Sequence, residues 1–214
     1  MRTYPESFWA DLYTSFPLLA DELGDRDLAG TTACVLGCSD GKFVIPLAGA
    51  GCQVTCVDVD PIMLDGGEIR YRGETVTLRG LRSNLDRTGL LDRCELIETD
   101  FMRWRTDRTF DFVLTSGSWA YNRNLEHGLS GVLAVMQRLV ASGGYLFADY
   151  LLPVTEMERG IDLYPQPEDL QPFFPEPPWR LIHNEGVGLI GESHYGQEEW
   201  HHHNYGALLA QRVA

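Results

Sequence analysis

Short apolar runs alternate with helix-length segments from residue 33 to residue 150. Residues 33–36 form a continuous apolar run that breaks into Gly37-Cys38-Ser39-Asp40-Gly41. A helix-length segment follows to about Ala50, and residues 54–59 make a second apolar run with Asp58 at its end. Residues 95–99 and 110–115 read as two further strands. Val132, Val135, Met136 and Leu139 mark one face of a helix over residues 129–140, which Ser142-Gly143-Gly144 stops before another strand at 145–150. Strands and helices in alternation predict an α/β fold, a doubly wound, mostly parallel sheet with helices on both faces.

The flanks follow other patterns. Residues 7–23 read as an amphipathic helical region interrupted at Pro17, with Phe8, Leu12 and Phe16 at helical spacing. Asp60-Pro61 starts a helix well, since Asp caps and Pro suits the first helical position. Gly66, Gly67 and Gly73 then weaken the helical pattern, so residues 62–85 are expected to be a broken helix or partly loop. Residues 153–178 hold seven of the eleven prolines, with a short helix expected at 168–174. Strand-like residues 179–190, a polar loop at 191–198 and a last strand at 199–213 predict an antiparallel hairpin. The 214 residues thus read as one domain: a helical cap over 1–30, a core over 31–150, and a connection with the hairpin over 151–214.

Composition narrows the classes of function. The chain is 44% hydrophobic and 22% charged, as expected of a soluble globular protein. A formal charge of −14 argues against binding a phosphate backbone, with Arg70, Arg72, Arg79 and Arg82 the candidates for a basic patch. No nucleic-acid partner is therefore expected. The five cysteines, at 34, 38, 52, 56 and 94, are odd in number and lie mostly in predicted core strands, which suits reduced thiols in a cytosol. The N-terminus shows no signal peptide, and no apolar run approaches the ~20 residues of a membrane span, so a cytoplasmic protein without a membrane partner is expected.

Candidate chemistry gathers where the strands end. In a parallel sheet, ligands bind in the crevice outside the strands' carboxyl ends. The glycines after residue 36 let backbone approach a ligand closely, and Asp58 is placed to accept hydrogen bonds from a ribose diol. Tyr13 either covers the mouth of that crevice or caps the sheet edge. Ser118-Trp119-Ala120-Tyr121-Asn122 follows the fourth strand, where its aromatics could form a cage for a cationic group or pack on the next helix. His127, near that helix's start, is the best candidate for a general base, with Tyr121 beside it as a second catalytic candidate. In a final strand, His201 and His203 share a face and His202 points the other way with Trp200. His194 could add a third imidazole, but no carboxylate spacing completes a metal site, so packing and hydrogen bonding are expected and no metal is.

This layout resembles the class I S-adenosylmethionine-dependent methyltransferases over nearly the whole chain. Val35-Leu36-Gly37-Cys38-Ser39-Asp40-Gly41 matches the family's first motif, whose turn would pack against the methionine portion of the cofactor. Asp58 matches the acidic residue that holds the ribose hydroxyls, and Val59 and Met63 would lie against the adenine. Asp100-Phe101 matches the acidic-aromatic pair whose carboxylate accepts from the adenine amino group. Ser116 and Gly117 occupy the position facing the reactive sulfonium. Phe8-Trp9-x3-Tyr13 and His201-His202-His203-x-Tyr205-x3-Leu209-Ala210-Gln211-Arg212 are similar to the small tellurite-resistance type and related small-molecule methyltransferases. The departure is Ser39, where a second glycine is common.

The resemblance implies S-adenosylmethionine as cofactor and methyl transfer to a small-molecule acceptor by in-line displacement. Trp119, Asn122, His194 and His202 are the substrate candidates. Three alternatives stay open: S-adenosylmethionine as sole substrate, its own amine attacking the carbon chain and releasing methylthioadenosine; a module that binds the cofactor and turns nothing over; and a nicotinamide-dependent oxidoreductase. Asp58 fits the oxidoreductase, but Gly37-x3-Gly41 lacks the G-x-G-x-x-G spacing.

Overall fold

The computed structural model describes residues 6–119, 127–194 and 197–213. Seven strands form one sheet in the order β5-β2-β1-β6-β7-β9-β8, and β3 and β4 form a separate two-stranded sheet. Chain contacts divide the protein into two compact units, one of residues 1–13, 24–104 and 191–202, the other of 14–23, 105–190 and 203–214.

In the first unit, β2 (Gln53–Asp58) lies between β1 (Thr32–Leu36) and β5 (Cys94–Glu98), parallel to both. Ala33, Cys34, Val35 and Leu36 are fully buried, which is why β1 reads as an unbroken apolar run rather than an alternating one. Helix α2 (Val44–Gly49) follows β1, and α3 (Pro61–Asp65) follows β2. Asp60 caps α3 as its sequence position predicts, its side chain accepting from the Ile62 N–H at 2.9 Å.

Residues 62–85 depart from the expected broken helix. After α3 the chain makes a β-hairpin, β3 (Gly67–Tyr71) and β4 (Glu74–Leu78), before α4 (Gly80–Thr88). Arg72 and Gly73 both have positive φ, 53° and 78°, the conformation of a two-residue hairpin turn whose twist matches its strands. The glycines read as helix weakeners therefore mark the hairpin's ends and turn. Its inner face has a core of its own: Ile69 and Leu78 join Trp9 and Met63, with Leu12, Ile62, Tyr71 and Val76 packed against them. The Tyr71 hydroxyl donates to the Ser193 carbonyl at 2.9 Å, and Arg72 Nε donates to Ser193 Oγ at 2.9 Å. In the turn itself, the Gly73 N–H donates to a Glu198 carboxylate oxygen at 2.9 Å.

In the second unit, α1 covers only Phe16–Leu23, shorter than the region predicted. Pro17 lies in the first turn, where a missing N–H costs nothing, so it begins this helix instead of interrupting one. The preceding residues form turns closed by Ala10 N–H to the Ser7 carbonyl and Leu12 N–H to the Trp9 carbonyl. Strand β6 (Phe110–Ser116) pairs in parallel with β7 (Val140–Leu152) after helix α5 (Gly128–Leu139). The register shifts between Phe110 and Phe112, so Ser142-Gly143-Gly144 sits as an irregularity within the strand. The short α6 (Pro167–Leu170) leads through a 3-10 turn, Gln171–Phe173, toward β8 (Trp179–His194). Strand β9 (Gln197–Arg212) pairs antiparallel with β7. The expected loop at 191–198 is largely strand, since β8 and β9 run to His194 and from Gln197.

Two features of the second unit carry stability. A Cβ added at Gly206 would lie 2.3 Å from the Tyr150 ring, which is fully buried and whose hydroxyl donates to Asn184 at 3.0 Å. Asp149, also fully buried, accepts from the Ser15 N–H (2.9 Å), Thr14 Oγ1 (2.9 Å) and Ser116 Oγ (3.0 Å). Burial nevertheless lifts its carboxyl above the ordinary 3.8. Just above pH 3.8 the folded chain therefore holds a proton that the unfolded chain has released, and this contribution to stability is lost as pH rises through the folded value. Gly206→Ala should cost about 1–3 kcal/mol in urea unfolding, since the ring has nowhere to move. Asp149→Asn, having no carboxyl to ionise, should lose less stability than wild type as pH rises above 3.8; an unchanged pH slope would assign the proton elsewhere.

Candidate functional site

The first unit brings most of the sequence candidates to the carboxyl ends of β1, β2 and β5. After β1 the chain turns sharply, with Gly37 at φ 68°, and the Gly37 and Cys38 N–H groups both donate to the Val57 carbonyl, at 2.8 and 3.2 Å. Ser39 has φ 50°, in the left-handed region that side chains other than glycine rarely adopt. Its N–H donates to Asp58 Oδ2 at 2.7 Å and its Oγ to the Met63 sulfur at 3.4 Å. A serine thus takes up the conformation for which glycine is usual, held there by the acidic residue of the next strand.

Asp58 is the pivot of this arrangement. Oδ2 accepts from Ser39 and Oδ1 accepts from the Asp60 N–H at 3.0 Å, so both oxygens are fixed in orientation. Each sp² oxygen retains a second lone-pair direction, which suits a ligand offering two hydroxyls. Burial raises the carboxyl above its ordinary 3.8, opposed by the hydrogen bonds from Asp60 and Ser39 and reinforced by the nearby Asp60 charge. Thr99 N–H donates to the Asp58 carbonyl at 2.8 Å, joining the ends of β2 and β5. Just beyond, Asp100 Oδ1 accepts from the Met102 N–H at 2.9 Å and Phe101 is half-buried. Val59 is 67% exposed, whereas Met63 belongs to the apolar cluster under the β3–β4 hairpin.

Asp40 has a structural task within the turn. Its carboxylate accepts from Ser7 Oγ at 2.7 Å and the Phe8 N–H at 2.6 Å, and its carbonyl accepts from Asn84 Nδ2 at 2.9 Å. Burial raises this carboxyl too. Lys42, almost wholly buried, donates to the Leu12 carbonyl and to the Tyr13 carbonyl at 3.5 Å. The turn therefore anchors residues 7–13, and with them Tyr13. Cys38 is buried and its thiol is pushed up by desolvation. At Gly41 (φ 108°) an added Cβ would meet Leu81 at 2.7 Å.

The second unit holds the remaining candidates. Ser116 donates to Asp149, and Gly117, at φ 65°, donates to the Asp149 carbonyl at 3.0 Å. Trp119 is fully buried, 5.4 Å from the Tyr150 ring, and its indole N–H has no hydrogen-bond partner among the described residues. His127 is exposed at the start of α5. Tyr121 and Asn122 lie outside the described residues. In the closing hairpin, His202 is exposed and His194 Nε2 lies 3.2 Å from His201 Nε2.

Asp149 and the clamp role of Asp40 were missed in the sequence. A signal for Asp149 was present: a single carboxylate inside the apolar run Tyr145-Leu146-Phe147-Ala148-Asp149-Tyr150-Leu151-Leu152 must find donors once buried. Nothing in sequence named those donors, because Thr14 and Ser15 lie far away along the chain.

Comparisons with known proteins agree with this fold. TehB from Haemophilus influenzae superposes with a TM-score of 0.67 at 13% identity, over 94% of this chain and 63% of that one, so the chain spans a little under two thirds of TehB. The N-methyltransferase NodS from Bradyrhizobium japonicum, in complex with S-adenosyl-L-homocysteine, has a TM-score of 0.58 at 16% identity, over 99% and 94% of the two chains. Magnesium protoporphyrin IX methyltransferase from Synechocystis, with bound S-adenosylmethionine, has a TM-score of 0.57 at 17% identity, over 92% and 77%. No curated protein matches the chain in sequence. The family model described as a methyltransferase domain matches residues 35–148, more than half of the chain, and runs from the glycine turn through Asp58 and Asp100 to β7. The chain belongs to the methyltransferase-domain family, the class I S-adenosylmethionine-dependent methyltransferases.

Proposed function

We propose that this protein transfers the methyl group of S-adenosylmethionine to a small-molecule acceptor. The observation that carries the proposal is the Asp58 carboxylate, fixed by the Ser39 and Asp60 N–H groups beside the tight turn after β1. That donor set fits the cofactor: a close-approach turn for its methionine portion, two oriented oxygens for its ribose diol, and Asp100 for its adenine amino group. Bound there, the sulfonium supplies an already activated methyl electrophile. The protein's own work is then to hold and align, which accounts for the lack of a catalytic triad among the candidates.

On the acceptor side, Trp119 supplies the most specific chemistry. A buried indole N–H left unpaired costs about 1–3 kcal/mol, and Trp119 has no partner among the described residues, so we assign it as a donor to an acceptor oxygen or nitrogen. Ser116 and Gly117, held by Asp149, line the same strand end. His127 is the proposed base where the nucleophile arrives protonated, with Tyr121, Asn122, His194 and His202 as further contacts. The charge of −14 favours a small molecule over a nucleic acid. None of the five cysteines is in a disulfide, which suits a reducing, cytosolic setting, and no described helix is long and apolar enough to cross a membrane.

Incubation with S-adenosylmethionine, alone and with a panel of acceptors, then mass spectrometry, tests the reaction. Adenosylhomocysteine formed only with an acceptor is expected; methylthioadenosine formed without one would overturn methyl transfer. Asp58→Ala should weaken adenosylhomocysteine binding by about 2–4 kcal/mol, some thirtyfold or more, in calorimetry. Because burial raises the Asp58 carboxyl, wild-type affinity should fall on acidification at a midpoint above 3.8, and Asp58→Asn should flatten that profile.

A further inference from the structure

The imidazoles of the closing hairpin have a specific arrangement. The ligating nitrogens of His194, His201 and His203 all lie within 4.8 Å of one another. His201 and His203 are two apart on β9 and so share a face of that strand, while His194 ends β8. His201 Nδ1 lies 2.7 Å from the Glu199 carbonyl. A carbonyl only accepts, so Nδ1 carries the proton and the neutral ring presents its lone pair at Nε2. That nitrogen faces His194 Nε2 at 3.2 Å. Two Zn–N bonds of about 2.0–2.1 Å at the tetrahedral angle place their nitrogens about 3.3–3.4 Å apart. The pair is already spaced as two ligands of one ion.

Residues near His194 in sequence are also held. Tyr71 donates to the carbonyl of Ser193, the residue before it, Arg72 donates to the Ser193 hydroxyl, and the Gly73 N–H donates to the Glu198 carboxylate. The β3–β4 hairpin thus braces the segment that carries one ligand. A carbonyl fixing the tautomer of another is the support that metal-binding histidines ordinarily have.

We propose that His194, His201 and His203 form a binding site for one divalent transition-metal ion of borderline softness, with zinc as the probe. All three ligands are neutral imidazoles, a set that suits zinc, copper or nickel rather than magnesium or calcium. In the metal-free chain His194 Nε2 donates to His201 Nε2. On coordination His194 moves that proton to its Nδ1, so binding needs no net loss of a proton. Three protein ligands leave a fourth tetrahedral position for water or an anionic ligand. This assignment replaces the packing role expected for these histidines and the substrate contact assigned to His194, and it does not depend on methyl transfer.

Isothermal titration of untagged, chelator-treated protein with zinc chloride tests the site, with cobalt(II) absorption as a second readout. Wild type should bind one equivalent and show the intense visible bands of tetrahedral cobalt. His194→Ala and His201→Ala should each weaken zinc by more than about tenfold, as losing a direct ligand exceeds losing its support. His183→Ala, an imidazole elsewhere on β8, should bind as wild type does. Circular dichroism of each variant guards against loss of fold. Equal zinc affinity in wild type and both ligand variants, or octahedral cobalt spectra throughout, would overturn the proposal as adventitious surface binding.

Discussion

The structure depends on carboxylates buried where parallel strands end, each turned to useful purpose by backbone N–H groups. An ionised carboxylate out of water is costly unless its lone pairs are met by donors. Asp58 meets this constraint with the Ser39 and Asp60 N–H groups, and in doing so fixes the turn after β1 to the end of β2. Asp40 meets it with Ser7 and Phe8, Asp149 with Thr14, Ser15 and Ser116. In all three, desolvation still outweighs the donors and lifts the carboxyl above its ordinary value. Each unit thus uses one buried aspartate to hold part of the N-terminal segment against its strand ends. Asp58 differs in having both oxygens oriented while lone pairs remain for a ligand.

Ser39 shows how the cofactor turn tolerates a departure from the usual glycine pattern. The left-handed conformation costs a residue with a side chain roughly 1–2 kcal/mol. A hydrogen bond to an ionised acceptor contributes about 1.5–3 kcal/mol, enough to offset that cost. The Asp58 carboxylate therefore serves the turn before it serves any ligand, and in the proposed function the two roles would reinforce each other. A ligand meets a carboxylate whose orientation is already set.

Much of the core was legible in the sequence because buried parallel strands announce themselves as unbroken apolar runs, as β1 and β7 do. Asp60-Pro61 was legible as a helix start because its chemistry is local. The β3–β4 hairpin was not: its glycines resemble helix breakers until one sees Arg72 and Gly73 in a tight turn and Ile69 and Leu78 packed on Trp9 and Met63. The helix expected from residue 7 failed for a related reason, since Phe8 is 42% exposed and Pro17 begins the helix. Residues whose task is set by distant partners stayed hidden, Asp149 among them. The sequence raised His194 as a third imidazole beside His201 and His203 but not its contact with His201, because pattern along a strand says nothing of which side chains converge across a hairpin.

The account's central claim is that the oriented Asp58 carboxylate holds the ribose of S-adenosylmethionine. A crystal structure of the protein with adenosylhomocysteine tests it most directly. The account predicts both ribose hydroxyls within about 2.5–3.0 Å of the Asp58 oxygens, with the Ser39 and Asp60 N–H contacts retained. A ribose placed elsewhere, with Asp58 still bound only to its own turn, would contradict it.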